Sequence, residues 1–447
     1  MNAPQDVVRT RVTTDPPDLI SGPIPVDPYI SPAFHERERE RIFKRAWLQV
    51  AREEDLPTPG DYQVQRIEVL GTSVLLTRDR GGRLHAFHNL CPHRGNEVAA
   101  RYPECGNTGT FVCGYHGWTF ELDGRLRTLP GETYFPDCDR EQLRLRELAC
   151  DSWNGFVFIN WSPQPEWPLR EFLGGLADQL EGYPFSAMER VARYSADVAV
   201  NWKTFIDAFH ETYHVGMVHA HSLKGISMKP EKRSAFDALA SARFYAPHHS
   251  ASNAMPEDAL EITPLGALAW ELGYSFAASD AFEHLPGTNP SKDPRWYFDI
   301  NVFFPNFFCD VGPGWYFTYN FWPLGVDATR WSMDIYQFAA RNPGQRLAQE
   351  HTKVLLRDLL YEDLSTMEST HRALKSGVLQ HLNISEEMEM AVRHQYTNVM
   401  RWGRGGCLIC PAPMPPPARP CRRPLPTSSR WRRVLPCPPS ARATRPG

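Results

Sequence analysis

The chain has 447 residues with a formal net charge of −4, 42% hydrophobic and 12% aromatic residues, and ten cysteines. That length allows two or three domains with ample core. The near balance of charge and the lack of a basic stripe or of a run of roughly 18 apolar residues exclude nucleic acid and a membrane as partners.

Met1 to Asp15 is polar, without the apolar stretch of a signal peptide, so a cytoplasmic protein is expected. The cysteines follow no disulfide rhythm and read as metal ligands plus free thiols, Cys105, Cys138 and Cys150 among the latter. Residues 1–30 read as an extended lead-in. Ser31 then caps a predicted helix with Pro32 at its first position. Phe34, Ile42, Phe43, Ala46 and Trp47 form its apolar face, and the charged run Glu36 to Arg45 reads as solvated.

From 47 to 161 short strand-like runs, such as Ile67 to Thr77 and Phe156 to Asn160, alternate with turn signals, among them Pro59-Gly60 and Asp123-Gly124. A small antiparallel β domain is expected there. Residues 162–402 mix both periods. Helices are predicted near Leu169 to Glu181, Asn201 to Val218 and Gln345 to Ser376, and strands between Trp296 and Phe338 with a hairpin turn at Gly312-Pro313-Gly314. Helices packed on an antiparallel sheet make this an α+β domain. Residues 403–447 contain twelve prolines, nine arginines and no acid, and read as a disordered, non-native tail of the composition that a GC-rich gene gives when read out of frame.

Two groups of residues carry chemistry. Cys91-Pro-His93 is followed, after nineteen residues, by Cys113-Gly-Tyr-His116. Two thiolates and two imidazoles separated by one hairpin suit a [2Fe–2S] cluster with cysteines on one iron and histidines on the other, at a potential of about −150 to +300 mV. A Cys₂His₂ zinc site offers the same ligand types, but zinc spacings usually begin with Cys-x₂₋₄-Cys. Gly95, Gly114 and Gly117 lie beside these ligands, where backbone must come close to the cluster. The second group runs from Asn201-Trp-Lys203 to His219. Within it His210-Glu211-Thr-Tyr-His214 is a literal H-E-x-x-H, which as a zinc-hydrolase signature would pair His210 with His214. His210 and His221 otherwise read as satisfied or exposed histidines.

The segments His85 to Gly95 and Phe111 to Trp118 resemble the two cluster loops of Rieske non-haem iron ring-hydroxylating oxygenases, α (catalytic) subunits. The run Asn201-Trp202-Lys203, acid-x-x-His, four residues, His resembles their mononuclear iron motif. The resemblance spans about residues 25 to 400. It implies an all-β Rieske domain (47–161) inserted near the start of a helix-grip catalytic domain (162–402), with residues 1–46 packing on the latter. By the resemblance Cys91, His93, Cys113 and His116 hold the cluster. His214 and His219 hold mononuclear Fe(II) together with Asp363, from the acid-rich run Tyr361-Glu362-Asp363 to Glu368. The two histidines lie about 140° apart on an ideal helix, so the helix must end or distort between them, with Gly216 well placed for that.

The resemblance makes Glu211 the electron-transfer bridge between His116 of one subunit and His214 of the next, in a homotrimer or an α₃β₃ assembly with a small β subunit. Relatives usually carry Asp there; Glu resembles the branch that oxidises quaternary ammonium compounds and related non-ring substrates. Electrons come from NAD(P)H through a flavin reductase, with or without a ferredoxin, and O₂ is co-substrate. The first expectation for the small organic substrate is an aromatic compound; the second is an amine or methyl ether, taken by a monooxygenase or demethylase. Phe303, Phe304, Phe307, Phe308, Trp315, Phe317 and Tyr319 are candidates to line its pocket.

Overall fold

The computed structural model describes residues 11–12, 18–223, 239–254, 263–272, 285–294 and 296–404. The expected tail lies outside these residues, apart from Gly403, which ends the helix Met390–Gly403, and Arg404, its cap.

Ser31 caps the helix Pro32–Glu38, its Oγ accepting from the Phe34 N–H at 3.3 Å. A one-turn helix, Asp27–Ile30, precedes it where extended chain was expected. Phe34, Ile42, Phe43, Ala46 and Trp47 are all buried, as their spacing predicts. Glu38 departs from the solvated face assigned to its neighbours, because it has no exposed surface at all. It forms an ion pair with Lys203 Nζ at 2.7 Å and accepts from Trp202 Nε1 at 3.1 Å. Burial pushes its carboxyl pKa up, but the Lys203 charge and donors from His35, Lys203 and Trp202 outweigh that and hold it below its ordinary value. A charge in a helix run is solvated only if its face points outward, and this one is turned onto the next domain.

Two antiparallel sheets lie within residues 47–160, the stretch in which a β domain was expected. The seven-stranded sheet has the order Trp47–Arg52, Phe156–Asn160, Glu147–Trp153, Leu84–His88, Thr72–Arg78, Asp61–Ile67 and Cys105–Asn107, and the three-stranded sheet joins Leu126–Thr128, Thr119–Phe120 and Phe111–Val112. The run Ile67 to Thr77 is not one strand. A turn over Glu68–Leu70 ends at Gly71, whose φ of +67° needs glycine, and folds the run into a hairpin pairing Ile67 with Thr72. Trp153 and Phe156 meet Phe185, Phe303 and Phe307, so this domain shares one apolar core with the next.

The rest is a helix-grip α+β domain. Its eight-stranded sheet runs Arg11–Val12, Ser241–Tyr245, His248–Ala254, Trp296–Phe303, Phe307–Gly312, Trp315–Gly325, Ala328–Phe338 and Met188–Val198, antiparallel except at the first pair. The hairpin at Pro313-Gly314 is where the sequence placed it. The helix Pro343–Leu374 is capped by Asn342, whose Oδ1 accepts from Gln345 N–H at 2.9 Å. Its buried stripe runs Thr352, Leu356, Leu359, Leu360, Asp363, Met367, His371 and Leu374, the three- and four-residue spacing of a helix packed on a sheet. Asp363 interrupts that stripe with a carboxylate.

The Glu38–Lys203 pair ties the first helices to the catalytic domain with both charges out of water. Lys203→Met strands the Glu38 carboxylate and is expected to cost about 3–5 kcal/mol, whereas the double variant Lys203→Met/Glu38→Met should be the more stable of the two. Chemical denaturation of both proteins checks this; a double variant less stable than Lys203→Met contradicts it.

Candidate metal centres

The predicted helix Asn201 to Val218 is two short helices, Trp202–Asp207 and Val215–Val218. Asn201 caps the first, its Oδ1 accepting from Lys203 N–H at 3.1 Å while its amide donates to the Val326 carbonyl at 2.8 Å. His214 immediately precedes the second helix and His219 immediately follows it. The break thus comes before His214, at residues 208–214, and a single turn rather than a distortion at Gly216 brings the two rings to a centroid separation of 5.2 Å.

Asp363 reaches this pair from the long helix. Its Oδ1 lies 3.4 Å from His214 Nε2 and 3.2 Å from His219 Nε2. The three ligand atoms lie within 4.8 Å of one another, the one such group of three found among the described residues. Each ring is oriented by a second carboxylate. His214 donates from Nδ1 to Glu211 Oε1 at 2.5 Å, and Glu211 Oε2 accepts from the His214 backbone N–H at 3.1 Å. His219 donates from Nδ1 to Glu362 Oε2 at 3.1 Å, and Glu362 Oε1 is held by Ser222 N–H at 3.0 Å. A proton fixed on each Nδ1 leaves each Nε2 lone pair toward Asp363, the tautomer a metal needs. Burial lowers the His214 pKa, but the bond and charge of Glu211, with Asp363, raise it overall. Two imidazoles and one carboxylate on a common face suit Fe(II) with coordination positions left for other ligands.

His210 takes no part in this group. It is buried against His249 and Phe308, at 4.9 Å between ring centroids in each case, and donates from Nδ1 to the Ile206 carbonyl at 2.8 Å. Burial lowers its pKa to about 3. The H-E-x-x-H reading needs one helix to carry both histidines, and the chain breaks between them. His221 is exposed.

The other candidate group lies on two loops of the all-β domain with the same construction. Cys91 N–H donates to Asn96 O at 2.8 Å and Gly95 N–H to Cys91 O at 2.9 Å; Cys113 N–H donates to Trp118 O at 2.8 Å and Gly117 N–H to Cys113 O at 3.0 Å. Gly95 and Gly117 sit at φ +76° and +73°, which closes each loop. Gly114 has another reason: a Cβ there would lie 2.5 Å from Arg101 Nε. Cys91 and Cys113 are each 2% exposed, and Asn96 Nδ2 lies 3.7 Å from Cys113 Sγ. Burial lifts the Cys91 thiol to about 11. His93 and His116 meet at 4.4 Å between centroids, His93 stacks on Trp118 at 4.8 Å, and His116 is exposed. His93 Nδ1 is buried without a hydrogen-bond partner. Thiols inside, imidazoles at the rim and a ring nitrogen left unpaired fit a [2Fe–2S] cluster.

A cavity of about 140 Å³ opens beside His214, His219 and Asp363, between the sheet and the long helix. Phe317 and Tyr319 line it; Phe303, Phe304, Phe307, Phe308 and Trp315 do not, and belong to the core instead. Sequence reasoning missed Glu362, although its place beside Asp363 in an acidic pair was a signal. It also missed Asn253 and Asp310 in the cavity wall, the latter a lone acid in the apolar run Phe307-Phe-Cys-Asp-Val311. No helix among the described residues is long and apolar enough to cross a membrane.

The family model for the Rieske [2Fe-2S] domain matches residues 46–139, and that for the ring hydroxylating alpha subunit (catalytic domain) matches 185–405. The carnitine monooxygenase oxygenase subunit of Acinetobacter baumannii is 28% identical over 359 residues, 78% of this chain and 84% of that protein. The quaternary ammonium Rieske monooxygenase CntA with L-carnitine superposes with a TM-score of 0.66 at 22% identity, over 87% of this chain and 97% of that one. Naphthalene 1,2-dioxygenase from Rhodococcus sp. superposes with a TM-score of 0.69 at 21% identity, over 85% and 94%. The chain belongs to the Rieske non-haem iron oxygenases, as a catalytic α-type subunit that carries a [2Fe–2S] domain and a mononuclear iron domain.

Proposed function

We propose that this chain is the terminal oxygenase of a monooxygenase system acting on a quaternary ammonium compound or a related amine. Residues 47–161 carry the cluster on Cys91, His93, Cys113 and His116, and residues 162–402 carry iron on His214, His219 and Asp363. The observation that carries the substrate class is Glu211. A glutamate, one methylene longer than the usual aspartate of the ring-hydroxylating relatives, holds His214 at 2.5 Å. The similarity to the carnitine enzyme over most of both chains supports the same reading. Oxidation of an aromatic ring is the second reading. It is favoured by the aromatic side chains in the cavity wall and by the fold likeness to naphthalene 1,2-dioxygenase, which speaks to fold alone.

The reaction consumes O₂, two electrons and two protons, converts one substrate C–H to C–OH and releases water. The iron supplies the site at which O₂ is activated, and a partner reductase drawing on NAD(P)H supplies the electrons. The chain's own residues do the rest. Cys91 and Cys113 are buried and would hold a cluster away from water, while the His116 side chain is exposed. By the family resemblance, Glu211 would also accept a hydrogen bond from His116 of a neighbouring protomer in a trimer. Its carboxylate would then join the two imidazoles and give a hydrogen-bonded path between the residues that would hold the two metal groups. Glu362 and Glu211 hold a proton on each Nδ1, which orients both rings. The apolar wall formed with Leu356, Leu359 and Leu360 excludes water from the reacting carbon.

Replacing Cys113 with Ala is expected to abolish the Rieske absorption and electron paramagnetic resonance signals while mononuclear iron still loads; an unchanged cluster spectrum contradicts the assignment. His219→Ala should lose the mononuclear iron and His210→Ala should largely keep it, as metal analysis of the two proteins will show; the H-E-x-x-H reading requires the reverse. In Glu211→Gln both centres should stay loaded while oxidation of the reduced cluster by O₂ and substrate in a single turnover slows by about 10- to 100-fold, the scale of losing an outer-shell partner. Wild-type rates in that variant would exclude the bridge.

A further inference from the structure

Asp310 is an acid in the wrong surroundings for a structural role. It lies in the strand Phe307–Gly312 and is 4% exposed. It lines the cavity beside the iron ligands, and its Oδ1 is buried without a hydrogen-bond partner. A second acid on the adjacent strand shows what a structural carboxylate looks like in this sheet. Asp299 accepts from Ser252 Oγ at 2.5 Å, Asn289 N–H at 2.8 Å and Trp296 Nε1 at 3.1 Å, with Arg243 3.7 Å away. Asp299 pairs with Val311, so alternation along the strand sends Asp310 to the opposite face, the one that forms the cavity wall. There its neighbours across the sheet are Phe298 and Ile300 on one side and Phe317 and Tyr319 on the other. Asn253, on the next strand but one, lines the same cavity with neither amide atom bonded.

Burial raises the Asp310 pKa well above its ordinary value, and a hydrogen bond from the Asn301 backbone opposes this. Oδ1 is left without a partner, a cost in stability unless a cation entering the cavity completes the site and draws out the charged form. What completes it here must enter a small cavity whose wall is otherwise largely aromatic and aliphatic. Aromatic faces and a carboxylate attract the same ligand charge, a positive one. Resting on the reading above that this site oxidises an amine, we propose that Asp310 recognises the substrate's cationic nitrogen. It holds an ammonium group within the aromatic wall so that a carbon next to nitrogen faces the His214–His219–Asp363 group. Asp310 is thus the residue that selects a cation over an uncharged compound of the same shape.

The test uses the holoprotein and two probes of equal shape: choline, and 3,3-dimethylbutan-1-ol, in which carbon replaces the nitrogen. Each is titrated anaerobically by calorimetry into wild type and into Asp310→Asn, which keeps the side chain's outline and removes its charge. Wild type should bind choline about tenfold or more tighter than the alcohol, and Asp310→Asn should lose that preference while its affinity for the alcohol stays the same. Equal affinity of wild type for both probes, failure of wild type to bind choline, or a preference that survives in Asp310→Asn each overturns the proposal. The wild-type comparison decides it even if the variant does not fold. Iron and acid-labile sulfide are measured in the same samples. Their absence from wild type would sink the oxygenase reading and leave the cation preference standing on its own.

Discussion

An imidazole can offer Nε2 to a metal only while its proton stays on Nδ1, and two carboxylates enforce that here. Glu211 holds His214 and Glu362 holds His219, each through Nδ1, and both rings then face one oxygen of Asp363. Much of the catalytic domain's architecture serves this convergence. The chain breaks after Trp202–Asp207 so that a single turn, Val215–Val218, can carry a histidine at either end. The long helix contributes Asp363 from a stripe that is otherwise mostly apolar, and its neighbour Glu362 reaches the second ring from the same turn. Five acidic and basic side chains from two distant stretches of sequence thereby converge on one point.

The same economy governs what surrounds the group. The Glu38–Lys203 ion pair, with Trp202 as a further donor, anchors the start of the helix that leads to Glu211. Its contribution is to position rather than to stabilise, since a buried pair gains little net energy over apolar replacements of the same volume. In the all-β domain the two cluster loops repeat one backbone pattern, and a glycine in the left-handed region closes each. That pattern keeps the thiols deep and lifts His116 to the surface, where a neighbouring molecule can reach it.

The cavity shows why fold and substrate separate. A quaternary ammonium monooxygenase and a naphthalene dioxygenase share this architecture at comparable TM-scores. The architecture therefore supplies a sheet face, a covering helix and an iron site, and leaves specificity to the few side chains that alternate toward the gap. Asp310 and Asp299 illustrate the point: one strand apart in the same sheet, they meet opposite environments because the pleat turns them to opposite faces.

The two cluster loops, the capped helix at Ser31, the hairpin at Pro313-Gly314 and the stripe of the long helix were legible in the sequence, because each depends on residues within a few positions of one another. Local spacing carries ligand chemistry and turn geometry directly. The order of the strands, the burial of Glu38, the break ahead of His214 and the separation of His210 from the metal group were decided only by the tertiary structure. Each depends on which distant side chain arrives opposite: Lys203 for Glu38, Asp363 for His214, His249 and Phe308 for His210. The aromatic strands make the same distinction. Their β periodicity could be read from the sequence, but that Phe317 and Tyr319 line the cavity while Phe307 and Phe308 do not was not in it. A period of two says that alternate residues share a face, and only the packing of sheet against helix says which face encloses the substrate.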